Sequence, residues 1–363
     1  GRIHALVGEN GAGKSTLSKI LSGFETADAG EVLVEGEPVR FNGPSGAAAR
    51  GIAVFNAPYS NTRSVVELVI GEIIALARRL LEKSERMHQG VWDKSAKGSH
   101  EIRGRTLGIV GYGNIGTQLS NVAEAIGLRV VFYDTADRPA HGNARRCRSL
   151  DELLEVSDIV SLHVDGRPGN AGMFGAEQFA KMKPRSMFIN ASRGMVVDEV
   201  ALRDHILSGH IAGAAIDVFP IEPKAQGDPF DSPLRGLENV ILTPHVGGST
   251  QEAQEEIGHF VSGKFLAFVN QGSTALSVNL PAVAPPHPQG AFRIGYLHTN
   301  APGVLANIQQ LIAEAGANVV GQTLTTLGDR GYVITDTDRP LSESQLAELR
   351  RSPHTVWLRT YQL

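Results

Sequence analysis

Cysteine is almost absent. Cys147 is the single thiol in 363 residues, so no disulfide can close within the chain, no paired-cysteine metal set exists, and a reducing cytoplasm is the compartment expected. An excess of one charge is missing as well. With 34 basic against 38 acidic side chains and a formal net charge of -4, the composition excludes a polybasic nucleic-acid binder. Long uncharged apolar runs are also lacking. The most apolar helical stretch, 65–81, is interrupted by Glu67, Glu72, Arg78 and Arg79, each costly at a bilayer centre, so no membrane span or membrane partner is expected. Nor is a secretory leader expected ahead of it. The chain opens on Gly1 with its first residues already patterned as a buried strand, and further sequence upstream is expected.

Glycine is abundant, 41 residues, and most of it falls where apolar runs give way to helical patterns. That is the punctuation of alternating strand and helix, an α/β chain. Three blocks follow. Residues 1–50 hold a strand (Ile3 to Val7), a glycine loop, a helix (Lys14 to Leu21) and two short strands, Glu31 to Glu35 and Glu37 to Phe41. Residues 51–280 hold one long amphipathic helix from Val65 and then repeated strand-helix units, with LGIV, RVVFYD, DIVSLH, SMFINAS, AGAAIDV and VILTPH as strands. Short apolar strands separated by helices predict a parallel, doubly wound Rossmann sheet covered on both faces. Residues 281–290, rich in proline, read as a linker. From 291 to 363 a strand, helix, strand, strand, helix, strand order predicts a ferredoxin-like α+β module.

In the first block, Gly8 to Gly13, Lys14 and Ser15 satisfy GxxxxGK[ST] between a predicted strand and a predicted helix. Backbone amides of such a loop surround phosphate, Lys14 would reach the outer phosphates, and Ser15 would ligate Mg²⁺. HALVGENGAGKSTLSKILSG and AGEVLVEGEPV resemble the ATP-binding subunit of ABC importers over about fifty residues. That resemblance implies a nucleotide cradle, but the LSGGQ signature, a strand ending in Asp-Glu and a switch histidine are all missing. Rapid ATP hydrolysis is therefore not expected.

The second block carries a full dinucleotide fingerprint. A strand, Leu107 to Val110, runs into Gly111-Tyr-Gly113-Asn-Ile-Gly116 and a helix (Ile115 to Ile126), and a second strand ends at Asp134. Gly111 allows the tight turn, Gly113 the approach of a pyrophosphate, and Gly116 the close packing of helix on sheet. Asp134 stands where a ribose hydroxyl pair would lie and would repel a 2′-phosphate, so NAD is expected rather than NADP. Three polar groups lie beyond the carboxyl ends of predicted strands: Arg193 after FINAS, Glu222 after AIDV and His245 after VILTP. Oxidising a hydroxy acid needs a base for the hydroxyl proton, a cation for the carboxylate and an acid that orients the base. His245, Arg193 and Glu222 supply one each. Taken singly they also read as a capping histidine, a surface arginine and a salt-bridged glutamate. Asp217, at the end of IAGAAIDV, could face a nicotinamide ring. No metal site is expected. Trp92 and Tyr133 read as core or interface, and Cys147, within Arg145-Arg-Cys-Arg148, as a solvated bystander.

VFNAPYSNTRSVVELVIGE, LGIVGYGNIGTQL, INASRGMVVD, GAAIDVFPIEP and LTPHVGGSTQEAQEEIG closely resemble the phosphoglycerate-oxidising branch of the NAD-dependent D-2-hydroxyacid dehydrogenases, over roughly 51–363. The resemblance implies conversion of 3-phosphoglycerate and NAD to 3-phosphohydroxypyruvate and NADH, with 2-oxoglutarate reduction as a related possibility and a homo-oligomer as the assembly. It implies Arg193, Glu222 and His245 as catalytic residues. It implies cofactor contacts at Gly111, Gly113, Asn114, Ile115, Gly116, Asp134, Ala191, Ser192, Arg193, Asp217, His245, Val246, Gly247 and Gly248. The last block resembles an ACT domain, which implies L-serine held across a dimer interface by His298, Asn300 and Asn318. In this family about a hundred residues, most of a substrate domain, precede GIxVFNAP, and here the ABC-like fragment stands in their place. The expectation is a chimera spliced within GAAARGIAVF, with helix 65–81 deprived of a partner and turnover weakened by a missing cleft wall. A binding protein for NAD or serine without turnover, and, more remotely, an ATP-dependent transport subunit, are the alternatives.

Overall fold

The computed structural model describes residues 51–223 and 225–362, together with Ala48 and the backbone of a short antiparallel pair, β1 (Leu33–Val34) and β2 (Glu37–Pro38). The glycine loop of the first block, with Gly8, Gly13, Lys14 and Ser15, lies outside the described residues, as do the strand and helix expected around it. By chain contacts there are two compact units, 58–257 and a second made of 1–57 with 258–363. Among the described residues no helix is long and apolar enough to cross a membrane.

The first unit is built on a seven-stranded parallel sheet. Its strands are β3 (Thr106–Val110), β4 (Arg129–Tyr133), β5 (Arg145–Arg146), β6 (Ile159–Leu162), β7 (Ser186–Asn190), β8 (Ile211–Ile216) and β9 (Val240–Leu242), in spatial order β5-β4-β3-β6-β7-β8-β9. Side chains on a strand alternate between faces, and here both alternating sets are apolar. Leu107, Ile109, Val130, Phe132, Ile159, Ile189 and Ala215 pack beneath α1 (Thr62–Arg78) and α3 (Asn114–Ala125). Val110, Val131, Val160, Leu162, Phe188, Ala214 and Ile216 pack beneath α4 (Leu150–Val156), α5 (Ala176–Lys181) and α6 (Glu199–Leu207). The strand order reverses beside β3, and ligands of such sheets bind outside the carboxyl edge at that point of reversal.

Several expectations need correction. The long helix from Val65 breaks at Arg79, whose φ of 52° is left-handed, and a separate α2 (Leu80–His88) follows. The apolar face of α1 is not deprived of a partner. Val66, Val69 and Ile73 are fully buried against the sheet, and only Ile74, Leu80 and Leu81 of this region stand exposed. Trp92 is 72% exposed and is no core residue. Cys147 is no solvated bystander. Following the edge strand β5 it turns inward beside Leu153 and Leu154 at 1% exposure, and burial pushes its thiol up despite Arg145.

In the second unit, β10 (Phe292–Thr299), α7 (Val304–Glu314), β11 (Val319–Leu327), β12 (Arg330–Thr337), α8 (Glu343–Arg351) and β13 (Thr355–Gln362) form the expected order. The antiparallel sheet runs β11-β12-β10-β13, the ferredoxin-like arrangement. Phe292, Ile294, Ile308, Leu311, Val333 and Leu346 make its core. Arg293 and Asp336 are buried together, Nε to Oδ1 at 2.6 Å and Nη2 to Oδ2 at 2.8 Å, and the carbonyls of Gln271 and Pro286 take remaining guanidinium hydrogens. Residues 281–290 form neither helix nor strand, yet Val283 is buried beside Leu297 and Tyr332. The segment after 51 joins this unit too. Val54 N donates to Asn279 Oδ1 and Asn279 Nδ2 donates to Ile52 O, both at 2.8 Å.

Candidate active site

The turn after β3 is shaped by missing side chains. Gly111 holds φ at 92°, and a Cβ there would run into the carbonyl of His163 at the end of β6. A Cβ on Gly116 would strike the Gly111 carbonyl, so α3 reaches the sheet only because position 116 is glycine. Gly113 faces open space, and no side chain caps α3. Its first amides, from Asn114, Ile115 and Gly116, therefore meet an unfilled cradle at the positive end of a helix, a fit for a pyrophosphate. Asp134, one residue past β4, accepts from Tyr112 N at 2.7 Å and from Ala136 N at 2.8 Å. Its carboxylate is thereby fixed beside the glycine turn, with lone pairs left for a ribose.

Asp217 follows β8 directly and is 2% exposed. Such a buried carboxylate needs donors, and three are present: Thr243 Oγ1 at 2.6 Å, Val246 N at 2.8 Å and Gly247 N at 2.8 Å. Those bonds organise the turn after β9. The turn includes His245 at φ 54°, a left-handed conformation uncommon for a side chain of this kind. A Cβ on Gly247 would approach Asp217 Oδ2 at 2.9 Å, with Leu68 and Val65 of α1 close behind. Gly248 lies against Asn61.

His245 Nδ1 pairs with Glu222 Oε2 at 2.9 Å and Oε1 at 3.1 Å, and Glu222 Oε1 also accepts from Phe219 N at 3.2 Å. Both side chains are solvent-accessible, so the pair adds little stability. Its value is directional: with Nδ1 engaged, Nε2 is left free. Arg193 sits past β7, where Ser192 donates through N and Oγ to Asn190 Oδ1. Its Nη1 donates to Ser192 O at 2.6 Å, and its stem lies along Gly166. A Cβ on Gly194 would collide with the Phe219 carbonyl carbon and Pro220 N. The arginine turn and the glutamate turn are thus seated directly on each other. The structure bonds His245 to Glu222, locks the Arg193 turn against the Glu222 turn, and sets both on the carboxyl edge that carries the glycine turn.

Two residues here escaped the sequence reading. Glu72, midway along α1, is 4% exposed with neither carboxylate oxygen hydrogen-bonded, and burial, with Asp217 adding to it, pushes its pKa up to about 8. His163 pairs Nε2 with Ser161 Oγ at 2.9 Å, leaves Nδ1 buried and unpartnered, and is pushed by burial down to about 4. In the second unit, His298 is buried with Nε2 unpartnered, its Nδ1 on the carbonyl of Thr299, and it lies in the last two residues of β10, with Asn300 just beyond the strand. Asn318 precedes β11 rather than lying within it and bonds Asp338. The strand register puts Asn318 at the opposite end of the sheet from His298 and Asn300, so the three do not converge within one chain. Among the described residues no cluster suited to a metal ion occurs.

The model of the D-isomer specific 2-hydroxyacid dehydrogenase NAD-binding domain matches residues 70–247, and that of ABC transporters matches residues 1–101. D-3-phosphoglycerate dehydrogenase of Escherichia coli is 51% identical over 312 residues, covering 85% of this chain and 76% of the relative. The enzymes of that name from Haemophilus influenzae and Dictyostelium discoideum are 48% and 45% identical over the same shares. Among solved structures, NAD-dependent formate dehydrogenase of Staphylococcus aureus with NAD is 30% identical with a TM-score of 0.56, covering 62% of this chain and 68% of that one. D-lactate dehydrogenase of Aquifex aeolicus with NAD and lactic acid is 30% identical with a TM-score of 0.56, over 61% and 71%.

Proposed function

The chain belongs to the D-isomer specific 2-hydroxyacid dehydrogenases, and from that premise we propose that it oxidises 3-phospho-D-glycerate to 3-phosphohydroxypyruvate. Bound NAD supplies the hydride acceptor. The chain's own residues do the rest. Asn114, Ile115 and Gly116 receive the pyrophosphate, Asp134 the ribose, and Asp217 the nicotinamide end, with Ala191, Ser192 and the 245–248 turn as walls. Arg193 grips the substrate carboxylate through its guanidinium fork. His245 Nε2 accepts the C2 hydroxyl proton as the C2 hydrogen leaves with its electron pair. Glu222 holds Nδ1 protonated and stabilises the imidazolium that results.

The observation that carries this reading is the 2.9 Å pairing of His245 with Glu222 on the carboxyl edge that holds the glycine turn. The test is formation of NADH by the purified chain with 3-phosphoglycerate, against His245→Asn. Loss of the base should lower kcat by about 10²- to 10⁴-fold with NAD binding retained. Equal turnover in the variant would sink the assignment.

The finer organisation is an ABC-type fragment over 1–50, the dehydrogenase over 51–280, a linker over 281–290 and an ACT domain over 291–363. The ABC match and the 85% share of the chain covered by the dehydrogenases support a chimera. The same match favours a second reading, an NAD- and serine-binding chimera with little turnover. It predicts ligand-dependent heat stability without NADH formation. L-serine would bridge His298 and Asn300 of one copy and Asn318 of another. Their separation within one chain supports a homo-oligomer, and serine-dependent inhibition or a serine-dependent change in sedimentation tests it.

A further inference from the structure

A glutamate at the centre of an apolar helix face calls for a role, because burying a carboxyl with no partner is costly. Glu72 lies on the face of α1 that also carries Val65, Val69, Ile73 and Leu76, and both its oxygens are sealed from water without a hydrogen bond. The first turns of α1 abut the junction of Asp217 and Gly247. Asp217 has its own donors, so Glu72 does not serve to hold it. The elements packed on α1 bring few other charges. β7, β8 and β9 carry no ionisable side chain, and the one ionisable group of α3, Glu124, is engaged with Asn143 N; in α2, Glu82 pairs with Arg79, Lys83 donates to Ser95 O, and Glu85, Arg86 and His88 are exposed. On α1 itself, Arg63 and Glu67 pair with each other outside, and Arg78 is exposed in its last turn. Among the described residues, Asp217 is the charge that acts on Glu72.

We propose that Glu72 is a positioning residue that acts through Asp217 and reads the charge of the nicotinamide: it holds a proton in the free chain and with NADH, and gives it up to solvent when NAD⁺ binds. The inference rests on the reading that the nicotinamide lies at Asp217. In the free chain the Asp217 anion and burial both keep the Glu72 proton in place. A positive ring beside Asp217 offsets that anion and attracts a second carboxylate, whereas the uncharged reduced ring does neither. The step is Glu72 COOH to COO⁻ with release of H⁺, and it reverses when the ring is reduced. By linkage, NAD⁺ must then bind more tightly as pH rises through the Glu72 transition, and NADH must not.

The test is the dissociation constant of the full chain for NAD⁺ and for NADH from pH 6.5 to 9, with proton release followed by calorimetry in two buffers of different ionisation heat. Wild type should gain about tenfold in NAD⁺ affinity across this range, with NADH flat and net proton release on NAD⁺ binding alone; one pH unit of change in a group's pKa corresponds to that factor. Glu72→Gln should bind both cofactors without the slope or the proton. Glu72→Leu, which leaves no polar group to satisfy, should do the same and separates a folding defect from loss of the proton. A slope that persists in both variants, or that NADH shares, overturns the inference while leaving the cofactor site standing. Failure of both cofactors to bind any of the three chains overturns the site and the inference together.

Discussion

Replacing Glu72 by glutamine should tilt the dependence of stability on pH, by an amount that follows from two buried groups of opposite sign. Glu72 titrates near 4.5 in the unfolded chain and at about 8 in the fold. Between those values the native state carries one proton more than the unfolded state, so stability falls as pH rises, by about 1.4 kcal/mol per pH unit. His163 works the other way. Its 6.5 becomes about 4 in the fold, the unfolded state holds the extra proton between these values, and stability rises by about 1.4 kcal/mol per pH unit. In wild type the two slopes cancel from about pH 4.5 to 6.5, and Glu72 alone then removes roughly 2 kcal/mol between pH 6.5 and 8. In Glu72→Gln the His163 slope stands alone below pH 6.5, and the fall above it disappears. The stability difference, variant minus wild type, should therefore climb by about 1.4 kcal/mol per pH unit over the whole window. Calorimetric unfolding at half-unit pH steps measures it, using the transition that NAD displaces as that of the Rossmann unit. Parallel curves for the two proteins would refute the argument, whatever their offset.

Gly194→Ala should cost about 1–3 kcal/mol, because the added methyl meets the Phe219–Pro220 backbone and cannot be absorbed by a flexible side chain; thermal unfolding with and without NAD measures this. Arg293→Met alone should cost about 3–5 kcal/mol in the ferredoxin-like unit by stranding the Asp336 carboxylate. The double change with Asp336→Leu should recover most of that loss in urea unfolding. Asp134→Ala should weaken NAD binding and narrow the preference over NADP by about tenfold or more, read by fluorescence titration of both cofactors.

The doubly wound sheet was legible because both alternating faces of its strands are apolar, and the fingerprint because three glycines meet three distinct steric demands. The break at Arg79 was not legible, since arginine is a good helix former and only tertiary packing favours its left-handed turn. Three arginines around Cys147 suggest a surface, but the chain turns inward after β5 and carries the thiol onto Leu153 and Leu154 while its arginine neighbours stay exposed. Glu72 could have been found: spacings of 65, 69, 72 and 76 place it on the apolar stripe. What the pattern lacked was the partner, because Asp217 lies 145 positions away and only the register of β8 brings it under α1. The bonds from Asn279 to residues 52 and 54, likewise, join segments more than two hundred positions apart.

The contact at Gly194 has a consequence for anyone who would redesign this pocket. A lone hydrogen separates the backbone that bears the guanidinium from the backbone that bears the carboxylate. Neither stretch can be lengthened, swapped or retuned while the other keeps its shape. Residues 191–197 and 217–222 therefore form one inherited cassette, to be transplanted whole, and libraries that vary one half alone should consist mostly of failures.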